Sequence, residues 1–167
     1  MKNIYLVFTG LILLAYAVMP ASAFTMKSLS ITIAGNGDAD VDISYDLSFV
    51  EQTAVFFRLA DPAAQLQSAF DDGGSRKVTV TRATSSSAHV MIPSFATVTP
   101  ANSKQTWEAT PPVSFEHARA VLNTYWFAPL VSPDFSPAVT TITFPDGYAV
   151  NYYDQISIPS VTHLMSG

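Results

Sequence analysis

Residues 28–49, SLSITIAGNGDADVDISYDLSF, hold the longest alternation of apolar and polar side chains in the sequence. In the first segment Leu29, Ile31 and Ile33 share one face, with serines and Thr32 on the other. In the second, Ala39, Val41, Ile43, Tyr45, Leu47 and Phe49 oppose Asp38, Asp40, Asp42, Ser44, Asp46 and Ser48. A period of two over this length predicts two strands, each buried on one face. Gly35-Asn36-Gly37 joins them. A two-residue Asn-Gly turn would pair Ile33 with Asp40, but directly paired residues share a face and these two do not. A three-residue loop satisfies the parity instead. It pairs Ile33 with Ala39 and Ile31 with Val41, and gives Gly37 the left-handed position.

A second hairpin follows the same rule late in the chain. Pro145-Asp146-Gly147 separates Ile142 and Phe144 from Tyr148, Val150 and Tyr152. A three-residue loop pairs Phe144 with Tyr148 and Ile142 with Val150, and turn chemistry accounts for Asp146 and Gly147. This hairpin closes a stretch, residues 114–153, around which the domain is expected to be organised. Ser114 is placed to cap a helix with Phe115, Ala118, Leu122 and Tyr125 on one stripe. Tyr125-Trp126-Phe127 follows, the densest buriable area in the chain and the expected core anchor.

Between the hairpins, Ser48 and Glu51 form a capping box for a short helix over residues 48–57, with a strand beginning at Val55-Phe56-Phe57 as the alternative. Asp61-Pro62 starts another, with Ala63, Leu66 and Phe70 at helical spacing, and Gly73-Gly74 ends it. Residues 77–84 and 88–99 read as strands around a serine turn, the second being an edge strand or interrupted at Pro93. Residues 102–112 read as irregular, and residues 156–163 as a short strand ended by Pro159. The expected fold is an α+β domain over residues 24–167. Its antiparallel sheet is built from hairpins, with two or three short helices packed on one face.

Lys2, the apolar run 4–18 and Pro20-Ala21-Ser22-Ala23 have the order of a secretory signal peptide cleaved after Ala23. The run is shorter than the roughly 20 residues of a membrane span, and an uncleaved N-terminal anchor is the alternative. No cysteine occurs anywhere, so a lipid-modified cysteine and disulfide staples are both excluded. The net charge of −5 lacks the basic footprint that nucleic acids and anionic membranes require. The expected address is secreted or cell-envelope associated, without nucleic-acid partners, a span in the mature chain or a cofactor.

Candidate sites are sparse. Asn36, Asp38, Asp40 and Asp42 place oxygens at alternate positions, as a calcium loop does. The pattern fails at Ile43 and Phe49, where glycine and glutamate are required. On a strand, Asp38, Asp40 and Asp42 form a weak cation site at best, and a charged face that discourages edge pairing accounts for them. His89, His117 and His163 lack metal-ligand spacing. No nucleophile elbow exists; Ser160 with His163 and a distant aspartate is one scattered alternative, and the carboxylate pair Glu108 and Glu116 is another. For binding, Trp107 and Trp126 are the candidates, as stacking platforms if exposed.

Asp61-Pro62, residues 125–130 (YWFAPL), Asp134-Phe135-Ser136-Pro137 and residues 144–148 (FPDGY) resemble a pattern in uncharacterised secreted and cell-envelope proteins of methanogenic archaea. The resemblance covers most of the chain after residue 23. It implies export and supplies no catalytic residues, because that group carries no established activity. The expected function is a non-enzymatic extracellular or envelope module acting through protein or surface contacts. Its alternative is a small-ligand or carbohydrate-binding protein using exposed aromatics.

Overall fold

The computed structural model describes residues 24–47, 78–116, 119–120, 123–124 and 133–166. Eleven strands run through them. They are β1 (Thr25–Ile33), β2 (Ala39–Asp46), β3 (Thr79–Ala83), β4 (Ser87–Ile92), β5 (Thr97–Asn102) and β6 (Gln105–Ala109). The rest are β7 (Val113–Ser114), β8 (Val139–Thr143), β9 (Ala149–Tyr152), β10 (Ser157–Ile158) and β11 (Thr162–Ser166). The three sheets have orders β3-β4-β2-β1-β8-β9, β10-β7 and β11-β6-β5.

This corrects the α+β expectation, because the described residues are mainly β and contain no complete helix. Helices expected over residues 48–57 and 61–73, the aromatic run Tyr125-Trp126-Phe127 and the leader 1–23 lie outside the described residues. After β7, Ser114 Oγ accepts a hydrogen bond from Glu116 N at 3.4 Å, the expected cap. Backbone bonds from Arg119 to Phe115 and from Asn123 to Arg119 follow. The largest sheet is also not purely antiparallel, since β1 pairs with β8 in parallel. Hairpin signals are local, whereas a parallel pair joins segments distant in sequence, so no turn announces it.

Both hairpin registers follow from face parity. Ile33 pairs with Ala39 and Ile31 with Val41; Ile142 pairs with Val150, and Phe144 N donates to Tyr148 O at 2.8 Å. Gly37 and Gly147 both have φ of 86°. Gly37 carries a second constraint, because a Cβ there would lie 2.5 Å from Ala96 O. That close approach docks the first loop on the turn after β4. Ala96 N donates to Gly37 O, and Ser94 N donates to Asp38 Oδ1, each at 2.8 Å.

The six-stranded sheet separates its faces row by row. Val80, Val90, Val41, Ile31, Ile142 and Val150 lie directly across from one another along the whole sheet. Every member is β-branched, the side-chain shape that packs well on a pleated surface. The middle four are buried. Arg82, His89, Asp42, Ser30, Thr141 and Asn151 form the neighbouring row on the opposite face. All six are polar. The apolar face shares one core with Phe95, Val113, Phe115 and Ile158, the last brought in where β10 pairs with β7.

Two further readings change. The expected strand 88–99 is broken at Pro93, as one alternative required, and its halves β4 and β5 enter different sheets. Ser94 between them has φ of 52°. Residues 102–112, expected to be irregular, contain β6, the centre of the three-stranded sheet. Its alternation carries only one large apolar residue, Trp107, and so gives a weak strand signal.

Candidate functional site

The acidic strand is not an edge. β2 lies between β4 and β1, so its aspartates cannot serve to guard an open edge. Register instead sets Asp42 opposite His89. His89 Nδ1 lies 2.8 Å from Asp42 Oδ1 and Nε2 lies 3.6 Å from Asp40 Oδ1. Asp38 is turned away into loop chemistry, with Oδ2 accepting from Asn36 Nδ2 at 2.7 Å and Oδ1 from Ser94 N. The three aspartates therefore divide between a turn and a surface imidazole. Among the described residues, no group of three or more His, Asp or Glu side chains is arranged to hold a metal ion.

The scattered catalytic alternatives separate as well. Ser160 Oγ donates to Thr110 O at 2.6 Å, so it fastens the end of β6 to the chain before β11. Val161 N donates to Thr110 Oγ1 at 2.9 Å in the same joint. Glu116 is exposed and is not among the charges acting on Glu108. His117 and Trp126 lie outside the described residues. Trp107 is 43% exposed on β6, with Thr99 of β5 and Leu164 of β11 directly across from it.

His163 and Asp146 do come together, and they gather Tyr148 and Phe144 around them. Asp146 Oδ1 accepts from Tyr148 N at 3.0 Å, the expected turn bond. Its other oxygen, Oδ2, lies 2.7 Å from His163 Nε2. Turn chemistry thus explains only half of this carboxylate. The imidazole stacks on Tyr148 with centroids 4.1 Å apart and planes 10° from parallel, and Phe144 packs at 5.1 Å. The hydrogen bond to His163, then that from Tyr148 N–H, holds the Asp146 carboxyl below its ordinary range.

Beside this pair stands Glu108. It is directly opposite His163 on one side and Val98 on the other, so all three share a face of the small sheet. Glu108 is fully buried, and neither carboxylate oxygen has a hydrogen-bond partner. Burial pushes its carboxyl above the ordinary glutamate range; Asp146 adds to that shift and His163 opposes it. The sequence marked Glu108 only as half of a carboxylate pair. The available signal was its register with His163, which becomes visible only once β6 and β11 are known to be neighbours.

Comparison with protein-family models, with curated proteins and with solved structures gave no match.

Proposed function

We propose that this chain is an exported, non-enzymatic module of the extracellular space or cell envelope that acts through protein or surface contacts. One observation carries the reading: the whole of β5 is exposed, and among the described residues it pairs only with β6. An edge strand presents a row of backbone donors and acceptors to any extended segment that can add to the sheet. β5 holds no charged residue, and its edge-blunting features, Pro100 and the register shift between Pro100 and Asn102, lie in its second half. The signal-peptide pattern of residues 2–23 supports export, as does the resemblance to secreted proteins. No helix of the described residues is long and apolar enough to cross a membrane.

The test is light-scattering mass across a concentration series, run beside retention of envelope proteins on the immobilised chain. Mass growth or retention that is lost in Thr99→Lys supports strand addition at β5. Monomer at every concentration, with identical retention by both proteins, overturns it.

A second reading rests on Trp107. Its exposed ring, flanked by Thr99 and Leu164, offers a stacking surface to a sugar or small ligand. A glycan panel should then shift tryptophan fluorescence in wild type and leave Trp107→Phe unchanged. An equal response in the two proteins would remove Trp107 from consideration.

A further inference from the structure

Glu108 is the one described side chain whose burial leaves polar atoms without partners. A carboxylate withdrawn from water and from donors is much costlier than the neutral acid, which forfeits only its hydrogen bonds. The surroundings sharpen that difference. From β11 the residue opposite is His163, whose imidazole is already committed to Asp146. From the turn between β8 and β9 comes the Asp146 carboxylate itself, whose charge opposes a second negative charge nearby. From β5 the residue opposite is Val98, which carries no charge. Tyr148, the other titratable group of the cluster, lies against the far partner, with its ring stacked on His163.

The same residues join two sheets. His163 belongs to the three-stranded sheet, while Phe144, Asp146 and Tyr148 belong to the β8–β9 turn of the six-stranded sheet. A charge forming at Glu108 therefore forms where the small sheet is attached.

We propose that Glu108 is a proton-operated fastening between the three-stranded sheet and the β8–β9 turn, closed when its carboxyl carries a proton and loosened when it ionises. The device goes beyond a constitutive contact surface, because it makes the attachment of the sheet that carries β5 depend on external acidity. Its sign follows from linkage. The folded state holds the Glu108 proton more tightly than the unfolded chain does. The stabilisation is therefore present in acid and is lost as pH rises beyond the ordinary glutamate range.

Thermal unfolding of the full chain, as wild type and as Glu108→Gln, tests this directly. Glutamine imitates the neutral acid and cannot ionise. The two proteins should melt together at about pH 4, below the ordinary glutamate range, and Glu108→Gln should melt roughly 3–8 °C higher at about pH 8. Hydrogen exchange, corrected for its intrinsic pH dependence, gives the local readout. Amides of β6 and β11 should lose protection in wild type between those conditions while β1 and β2 keep theirs. In Glu108→Gln all four strands should stay protected. Should the amide variant fail to fold, Glu108→Met supplies the same comparison.

His163 lies opposite Glu108 and is bonded to Asp146, so its contribution is controlled by repeating the pair in a His163→Gln background. Persistence of the alkaline gain there assigns the sensor to Glu108. Parallel pH profiles for wild type and Glu108→Gln, or loss of the gain without His163, overturn the proposal.

Discussion

The six-stranded and three-stranded sheets treat charge in opposite ways. In the larger one, the row from Arg82 through His89 and Asp42 to Asn151 is polar across the whole sheet, and the row from Val80 to Val150 is apolar. In the smaller one the exposed residue is a tryptophan and the buried one a glutamate, at adjacent positions 107 and 108. The difference lies in what covers each face. The inner face of the six-stranded sheet packs into the shared core with Phe95, Val113, Phe115 and Ile158, and Thr140, opposite Leu29, is its buried polar exception. A three-stranded sheet is covered locally, here by the turn that carries Asp146 and Tyr148. Only a few residues decide whether a polar side chain at that point is tolerated.

The comparison breaks most severely at the centre of the large sheet. Ile31 is 1% exposed and sits mid-row between Val41 and Ile142. Ile31→Ala should cost about 2–5 kcal/mol, read from urea unfolding, because a row packed on both sides cannot collapse around the gap. A loss under about 1 kcal/mol would mean that the row is not the chain's main source of stability.

The joint of the small sheet should respond to pH rather than uniformly. Asp146 titrates below its ordinary range because of His163 and the Tyr148 N–H, so its contribution is present above the usual aspartate range. It is lost as pH falls through the depressed value. Asp146→Asn should melt below wild type at neutral pH, with the gap closing in strong acid. A gap independent of pH would show that the hydrogen-bond geometry, not the charge, holds the joint.

The smallest effect is expected on the polar row. Asp42 is 69% exposed and faces His89 across the strands. Asp42→Asn should change stability by less than about 1 kcal/mol, since exposed ion pairs are weak and screened by salt. A larger loss would show that the outer face contributes as the inner one does.

How much of this was legible follows from how far each signal reaches. Registers of both hairpins were deducible, because parity and a glycine-terminated loop act within about 15 residues. The interruption at Pro93 was legible for the same reason. The β1–β8 pair was not, since Ile31 and Ile142 carry no mark of each other. β6 was missed because its alternation places glutamate inside and tryptophan outside, the reverse of what a hydrophobic pattern reports. The site was missed with it. Asp146, assigned wholly to its turn, was half right: one oxygen serves the turn and the other holds His163.

The parallel pairing of β1 with β8 also bears on the order in which the chain is made. Ser28 meets Val139 and Thr32 meets Thr143, so the first strand waits for a partner synthesised more than a hundred residues later. Until then the β1–β2 hairpin has one open flank, and contacts of such sequence separation form slowly. A nascent chain can fold its hairpins as they emerge, but its largest sheet cannot be completed before β8 and β9 have been released. Under the export proposed above, that late closure would leave the central sheet unfinished until β8 and β9 had crossed.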